Sequence, residues 1–579
     1  MKTKNLTLAV VLICYFGFGT LNAFAQSSDT AQVSINYSNT QGVFSDYLFS
    51  TVAGPYSDPN AVALSKAAGF KFMEIGFEMT IPPNPNDSTQ YNFSALDFSI
   101  NEIINQGMEP YIVFQQPITQ PTNLADYATY IKNVIRHYTQ GWNSGYYYNL
   151  KAVRWGNEPD GPGFWQGTQQ EFFDTYAAVS NVVKSLDSTI IIDAYGLSVA
   201  AGWIGNARLL NPWVSNFLAY CQANNVKVDV FTFHAYNPIT YYQFYSDLTL
   251  INNAIAAYPT LSNIYGVPKL GNNEWLATMG DPFSGQYSAQ FDSAWIAAHD
   301  ILSLSAMTAQ GLTLSIRYGG TFNAPVPNCH DFLLTDCNSM GKPSYFAFKG
   351  FNMLAGDSIV QTTGSDYINF SAISGKSTDT VTLVLSNFDA LTYLNRFEPD
   401  TSLSAWTDYN KYVATFGAPD DYEFARIAVN NLPWTSDNIK VLHYLVDDNN
   451  DLNLVNTSAF GGTSNLSFTA AMAAPAVHVF KIFKESATGI DVQSNQHNYV
   501  TIFPNPSNGK FNLVVATQNE VKGKQSQIEI YNVLGECIYK SLILNPQSLI
   551  DISSQPKGIY FYRITNEQHL IGNGKIVIQ

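Results

Sequence analysis

The sequence predicts an α/β protein: a (β/α)8 barrel, then a β-sandwich, then a small all-β domain at the C-terminus. Three observations predict it. From about residue 45 to 355, short apolar runs alternate with helical segments eight times over, the rhythm of parallel strands joined by helical crossovers. After about residue 356 the pattern becomes short alternating strands such as "DTVTLVLSNFD", "IKVLHYLVDD" and "AVHVFKIF", which reads as a sandwich. Beyond the polar stretch "KESATGIDVQSNQHN", strands and turns run to residue 579.

The elements follow in chain order. "MKTKNLTLAVVLICYFGFGTLNAFAQSS" reads as a secretory signal, with Lys2 and Lys4 ahead of an apolar run and Ala23-Phe24-Ala25 as a small-x-small cleavage site. Residues 1–25 are therefore expected to be removed. No later stretch is apolar and long enough to span a bilayer. The barrel, residues 26–355, opens on a strand near Tyr47 to Val52. "FKFMEIGF", "EPYIVFQQ", "LKAVRWGNEP", "STIIIDAYG", "VDVFTFHAYN", "VPKLGNNEW" and "LTLSIRYGG" supply the other strands. A doubly wound sheet is the weaker alternative. Residues 356–485 form the accessory sandwich, 486–498 a linker, and 499–579 the terminal domain.

Composition narrows the function classes. Hydrophobic residues make up 46% of the chain and charged residues 13%, the mark of a folded protein. A net charge of −16 argues against nucleic acid, because phosphate binding needs a basic surface. The 35 Tyr and 37 Phe suit either ordinary packing or grooves that stack sugar rings. Cys329 and Cys337 are close enough to staple a loop in an oxidising compartment, and their spacing is not that of a zinc site. Nothing in the sequence calls for a metal or a cofactor, and glycine-rich phosphate loops are absent.

The candidate chemistry lies in two carboxylates. Glu158 ends the fourth barrel strand in "WGNEP", and Glu274 ends the seventh in "NNEW". Barrel enzymes carry their reacting groups where strands end at the C-terminal face, and a carboxylate at a buried strand end is costly unless something uses it. Asn157, Pro159 and Gly161 are also ordinary turn residues, so a capped turn explains the fourth strand alone. Strands four and seven face one another across a barrel, so the two carboxylates can converge. Cleavage of a glycosidic bond with retention needs such a pair about 5–5.5 Å apart, one group donating a proton and the other attacking the anomeric carbon. The acid must hold its proton near neutral pH, which burial and a neighbouring carboxylate favour.

"WGNEP" with the later "NNEW" resembles clan A of the glycoside hydrolases. "YNFSALDFSINEIINQGMEPYIVF", "VFTFHAY" and "GKPSYFAFKGFNML" are similar to segments of family 39, the group of β-xylosidases and α-L-iduronidases; families 5, 30, 51 and 79 share the clan pattern. The resemblance covers about residues 45–485. It implies Glu158 as acid/base, Glu274 as nucleophile, Asn157 as a sugar contact, and His234 and Tyr236 as lining of the mouth. Trp275 is either core or an aromatic wall for a sugar. Two positions depart from the family. Glu74 and Gly76 stand where strand two usually carries Arg and His, and Arg317 and Tyr318 where strand eight usually ends on a Trp. Arg317 is expected to be the positive partner of Glu274, or to pair with Glu74, or to bind an anionic sugar, with Tyr318 beside it.

"FPNPSNGKFNL", "IEIYNVLGE", "KGIYFYR" and "GKIVIQ" resemble the type A sorting domain of the Bacteroidetes type IX secretion system, which implies a secreted or surface-attached protein of a Gram-negative cell. The leading expectation is an exported retaining glycosidase acting on a β-linked polysaccharide or oligosaccharide. The competing class is a carbohydrate-binding protein or adhesin on a degenerate barrel.

Overall fold

The computed structural model describes residues 30–52, 59–77, 81–205, 207–261, 266, 268–277, 289–320, 334–335 and 340–485, and within 500–579 all but 504, 506, 516–525, 534, 544–546 and 567–568. The expected signal segment, the linker, Cys329 and Cys337 lie outside these residues.

Eight strands close into a barrel in chain order: Ser50–Val52, Phe72–Phe77, Glu109–Phe114, Ala152–Asn157, Ile191–Leu197, Val230–Tyr236, Lys269–Leu276 and Leu314–Arg317. They are called barrel strands one to eight below. Helix starts are set locally. Thr168 and Glu171 form a reciprocal capping box ahead of helix Gln169–Leu186, and the Asn123 side chain accepts from the backbone N–H groups of Ala125 and Asp126 to start Leu124–Gln140.

The barrel interior is layered, because every second residue of a strand faces the same side. Phe72, Tyr111, Ala152, Val230, Leu314 and Ile316 form a closed apolar cluster at the bottom. Two residues further along their strands stand Glu74, Arg154, Asp193 and Thr232, all buried. Above that polar layer lies the mouth.

The accessory domain is one hydrogen-bonded sheet of nine strands, not two separate sheets. Val33, Leu383, Ile427, Val441 and Leu466, drawn from strands far apart in the sheet order, share one core cluster, so the sheet curls over itself. Two features depart from the sequence reading. Strand Thr30–Val43, expected in the barrel segment, belongs to this sheet, antiparallel to Ser358–Thr363 and parallel to Phe424–Asn430. The region expected to be all-β also holds helices Ala390–Phe397 and Ser404–Phe416. Barrel and accessory sheet form one compact unit through Glu485. Helix Ala294–Ala309 explains the union: it is buried nearly all round, as a helix wedged between a barrel and a sheet must be, and Ser386 of the sheet donates to its Ala298 carbonyl at 2.6 Å.

The second unit, from residue 486, contains a three-stranded and a four-stranded sheet around Phe511, Leu513, Ile528, Ile530 and Ile564.

His443 and His478, on neighbouring strands of the accessory sheet, share a hydrogen bond of 2.8 Å, and His443 stacks on Phe480 with ring centres 4.2 Å apart. Burial lowers His443 to about 4; burial, aided by His443, lowers His478 to about 3. Both are therefore neutral in the fold, while the unfolded chain takes up protons below about 6.5. Stability is full above that value and falls as pH drops towards 4, by a few kcal/mol for the pair. Denaturant titrations from pH 7.5 to 4.5 should show this fall in the natural chain and a flatter profile in the double variant His443→Asn, His478→Asn.

Candidate active site

Barrel strand four delivers Glu158 through a backbone that the local sequence makes possible. Gly156 has φ +92°, and a Cβ there would lie 3.0 Å from Tyr195 Cβ. Glu158 itself sits at φ +44°, a conformation that costs a non-glycine residue on the order of 1 kcal/mol and persists only where the surroundings hold it. They do so from two sides. The Glu158 N–H donates to the Gly196 carbonyl at 2.8 Å, and the Gly161 N–H donates to the Glu158 carbonyl at 2.9 Å. Gln116, just beyond strand three, accepts from Asn157 N–H at 2.7 Å and donates to its carbonyl at 2.6 Å. The Asp160 carboxylate ties this turn to the loop after strand five through Ser198 and Asn211.

Barrel strand seven delivers Glu274 through a bulge. Its register slips between Asn272 and Glu274 against strand six, and between Asn272 and Trp275 against strand eight. A bulge re-aims the side chain that follows it, and here Glu274 turns to the mouth while Asn273 turns inward.

The two carboxylates meet at His234 of strand six. Its Nδ1 is 2.7 Å from Glu158 Oε1 and 3.8 Å from Glu274 Oε1; the imidazole is fully buried, while each carboxylate keeps 15% of its side chain open to solvent. One atom from each of the three groups lies within 4.8 Å of the others, so the carboxylate oxygens come that close. Burial opposes a charge on His234, but Glu274 and Glu158 beside it prevail and raise its pKa. Tyr236 donates its hydroxyl to Glu274 Oε1. Burial, then Glu274, pushes that phenol far up, so it stays protonated and a donor. Tyr318 meets Tyr236 edge-on, ring centres 6.2 Å apart, and burial followed by the Glu274 and Glu158 charges pushes it up to about 12. Asn157 is half-buried beside Glu158, and its Oδ1 is a buried acceptor with no protein hydrogen bond.

Glu158, Glu274, Asn157, His234, Tyr236 and Tyr318 thus gather at one end of the barrel. Trp275 does not: it is 1% exposed and donates its indole N–H to Ser315 at 2.8 Å, so it is core and no sugar wall. Arg317 is also corrected. It is 1% exposed, bound to Asp300 at 3.0 Å and to the carbonyls of Tyr318 and Gly319; it pairs with neither Glu274 nor Glu74, and its burial removes it as a contact for an anionic sugar. Alternation is the reason. Trp275 follows the mouth-facing Glu274 by one residue, and its register partner Arg317 follows the interior Ile316 by one, so both point out of the lumen.

Glu74 instead meets Arg154 at 3.0 Å. Burial raises its pKa to about 7, with Arg154 pulling the other way. Gln116, Arg154, Asp193 and Asn273 escaped the sequence reading, although "AVRW" and "IIIDAY" carry a signal: a charge inside an apolar strand needs a partner. Among the described residues, one group of three has metal-ligand proximity, Glu158, His234 and Glu274. A cation there would occupy the carboxylates that the hydrogen bonds above already orient.

Residues 77–272 match the model described as glycosyl hydrolases family 39, and residues 501–579 that of the secretion system C-terminal sorting domain. The chain is 21% identical over 334 residues to a β-xylosidase of Caldicellulosiruptor saccharolyticus, covering 52% of this chain and 65% of that protein. It is 24% identical over 189 residues to a β-xylosidase of Geobacillus stearothermophilus, covering 28% and 34%. The chain therefore spans less than two thirds of the length of either relative. A solved glucosidase from Croceicoccus marinus superposes with a TM-score of 0.63 at 18% identity, covering 79% of this chain and all of the other, a likeness of fold. The family 39 match thus falls on the eight-stranded barrel that carries the two carboxylates, and the sorting-domain match on the strands of the second unit.

Proposed function

We propose that the protein is an exported retaining glycosidase that cleaves β-glycosides of an extracellular oligosaccharide or polysaccharide, with Glu274 as nucleophile and Glu158 as acid/base. The observation that carries this reading is the approach of the two carboxylates, with oxygens within 4.8 Å. Retention uses a separation of about 5–5.5 Å, whereas inversion needs about 6.5–9.5 Å to seat a water between them. The β-xylosidase names of the two curated relatives support a neutral β-pyranoside as substrate.

In the first step Glu274 attacks the anomeric carbon as Glu158 gives its proton to the departing oxygen. Tyr236, donating to Glu274, keeps that carboxylate oriented and releases it as the carbon–oxygen bond forms. In the second step Glu158, now ionised, takes a proton from water, and that water displaces Glu274 with a second inversion. His234 lies against both carboxylates, and their negative charges favour its protonated form. The Asn157 amide bonds the hydroxyl next to the reacting carbon, where such bonds strengthen in the transition state.

The sorting domain supports export through the type IX system and a place outside the cell or on its surface. No helix among the described residues is long and apolar enough to cross a membrane. The test of function is a proton NMR time course on p-nitrophenyl β-xyloside and β-glucoside. The β-anomer of the free sugar must appear first; first appearance of the α-anomer removes the double displacement, and no hydrolysis of these or a wider β-glycan panel removes the glycosidase.

A further inference from the structure

The bulge in strand seven places a side chain against strand five. Asn273, the residue by which strand seven slips out of register, is fully buried and turned into the polar layer under the mouth, where its Nδ2 donates to Asp193 Oδ2 at 2.9 Å. Asp193, on strand five, is itself fully buried. It also accepts from the Tyr111 hydroxyl at 3.1 Å on the same oxygen, and from the Thr232 hydroxyl on the other. Strands three, six and seven therefore converge on one carboxylate of strand five. The space around Asn273 is closed from the other side as well. A Cβ added to Gly196 would lie 2.6 Å from Asn273 Oδ1 and 2.2 Å from His234 Nε2, so the bare Cα of Gly196 makes room for both side chains.

We propose that Asp193 is the positioning residue of Glu274: it captures the Asn273 side chain, and this contact maintains the strand-seven bulge that points the next residue at the mouth. A second consequence follows from the same layer. Arg154 is the register partner of Asp193 and is ion-paired with Glu74 at 3.0 Å, so the buried carboxylate of Asp193 has a cation beside it. Burial raises the Asp193 pKa, while Arg154 and the donors from Thr232, Asn273 and Tyr111 oppose that shift. Positioning through hydrogen bonds matters at this distance from the chemistry because a displacement of about 1 Å at a reacting group costs on the order of a hundredfold in rate.

This inference rests on the assignment of Glu274 as nucleophile, and one experiment separates the two. The crystal structure and kinetics of full-length Asp193→Asn are compared with the natural chain. The amide keeps the size of the carboxylate but loses its charge, and it turns an NH2 group either towards Thr232 or towards Tyr111 and Asn273 together. Expected are a Glu274 that has left Tyr236, a kcat ten- to a hundredfold lower with KM within threefold, and recovery of most of the loss in Asp193→Asn, Asn273→Asp, where donor and acceptor are exchanged. Should Asp193→Asn fail to fold, Asn273→Ser removes the same bond from the other side and must give the same displacement and the same kcat loss. Glu274 found in its natural place in these variants, or a kcat loss that the exchange does not recover, overturns the proposal. Failure of the glycosidase reading shows differently: the natural chain hydrolyses no glycoside, and the crystallographic comparison still decides whether Asp193 holds the bulge.

Discussion

Glu274→Ala lowers kcat by about 10⁴-fold or more, the largest loss expected of any single substitution in this chain. That is at least about 5.5 kcal/mol of barrier, at about 1.36 kcal/mol per tenfold. The reason is the loss of the covalent route. Without the carboxylate the anomeric carbon has no attacking group, and the space left behind is lined by Tyr236 and His234, both of which are arranged around a negative charge. A small anion can take that place. Sodium azide added to Glu274→Ala with a 2,4-dinitrophenyl β-glycoside is expected to restore turnover and to yield the α-glycosyl azide, because one displacement inverts the centre. Identification of the product by NMR checks the assignment. Turnover at the natural rate without azide would leave Glu274 with no part in the chemistry and return the barrel to a binding role.

Glu158→Ala follows, with a loss of about 10²–10⁴-fold that depends on the leaving group. A sugar or alkyl alcohol departs only if it is protonated, so natural linkages suffer the full loss. A dinitrophenolate needs no proton, so its release remains rapid and appears as a burst before a slow steady state in which the intermediate waits for an unassisted water. Azide intercepts that intermediate from the face the substrate left, and the product is the β-glycosyl azide. The opposite anomers from the two variants separate the roles of two carboxylates whose oxygens lie within 4.8 Å. Equal losses for good and poor leaving groups would remove Glu158 as the acid.

Much of the site was legible because the signals are short-range. "WGNEP" and "NNEW" end strands, and strand ends at one face of a barrel are neighbours whatever the loops between them do. His234 and Tyr236 stand two residues apart on one strand, so they face the same side. The same period, applied to "NNEW" and "SIRYGG", places Trp275 and Arg317 on the outside, and their assignment to the sugar site neglected it. Asp300, the true partner of Arg317, lies on a helix whose near-complete burial depends on a sheet from the following domain.

The residues by their order alone carried the eight-fold alternation of the barrel, the terminal all-β domain and the two carboxylates at strand ends, since each rests on period, composition or a motif a few residues long. Three features needed the folded chain. Strand Thr30–Val43 joins the accessory sheet by pairing with Phe424–Asn430, across a separation that leaves no local trace. The strand-seven bulge shows only in the strand pairing, where Asn273 and not Asn272 reaches Asp193. The exchange of partners among Glu74, Arg154, Asp300 and Arg317 was decided by burial. A charge inside an apolar strand announces that it must be satisfied, but the side chain that satisfies it is chosen by geometry, and that geometry comes into being only when the barrel closes.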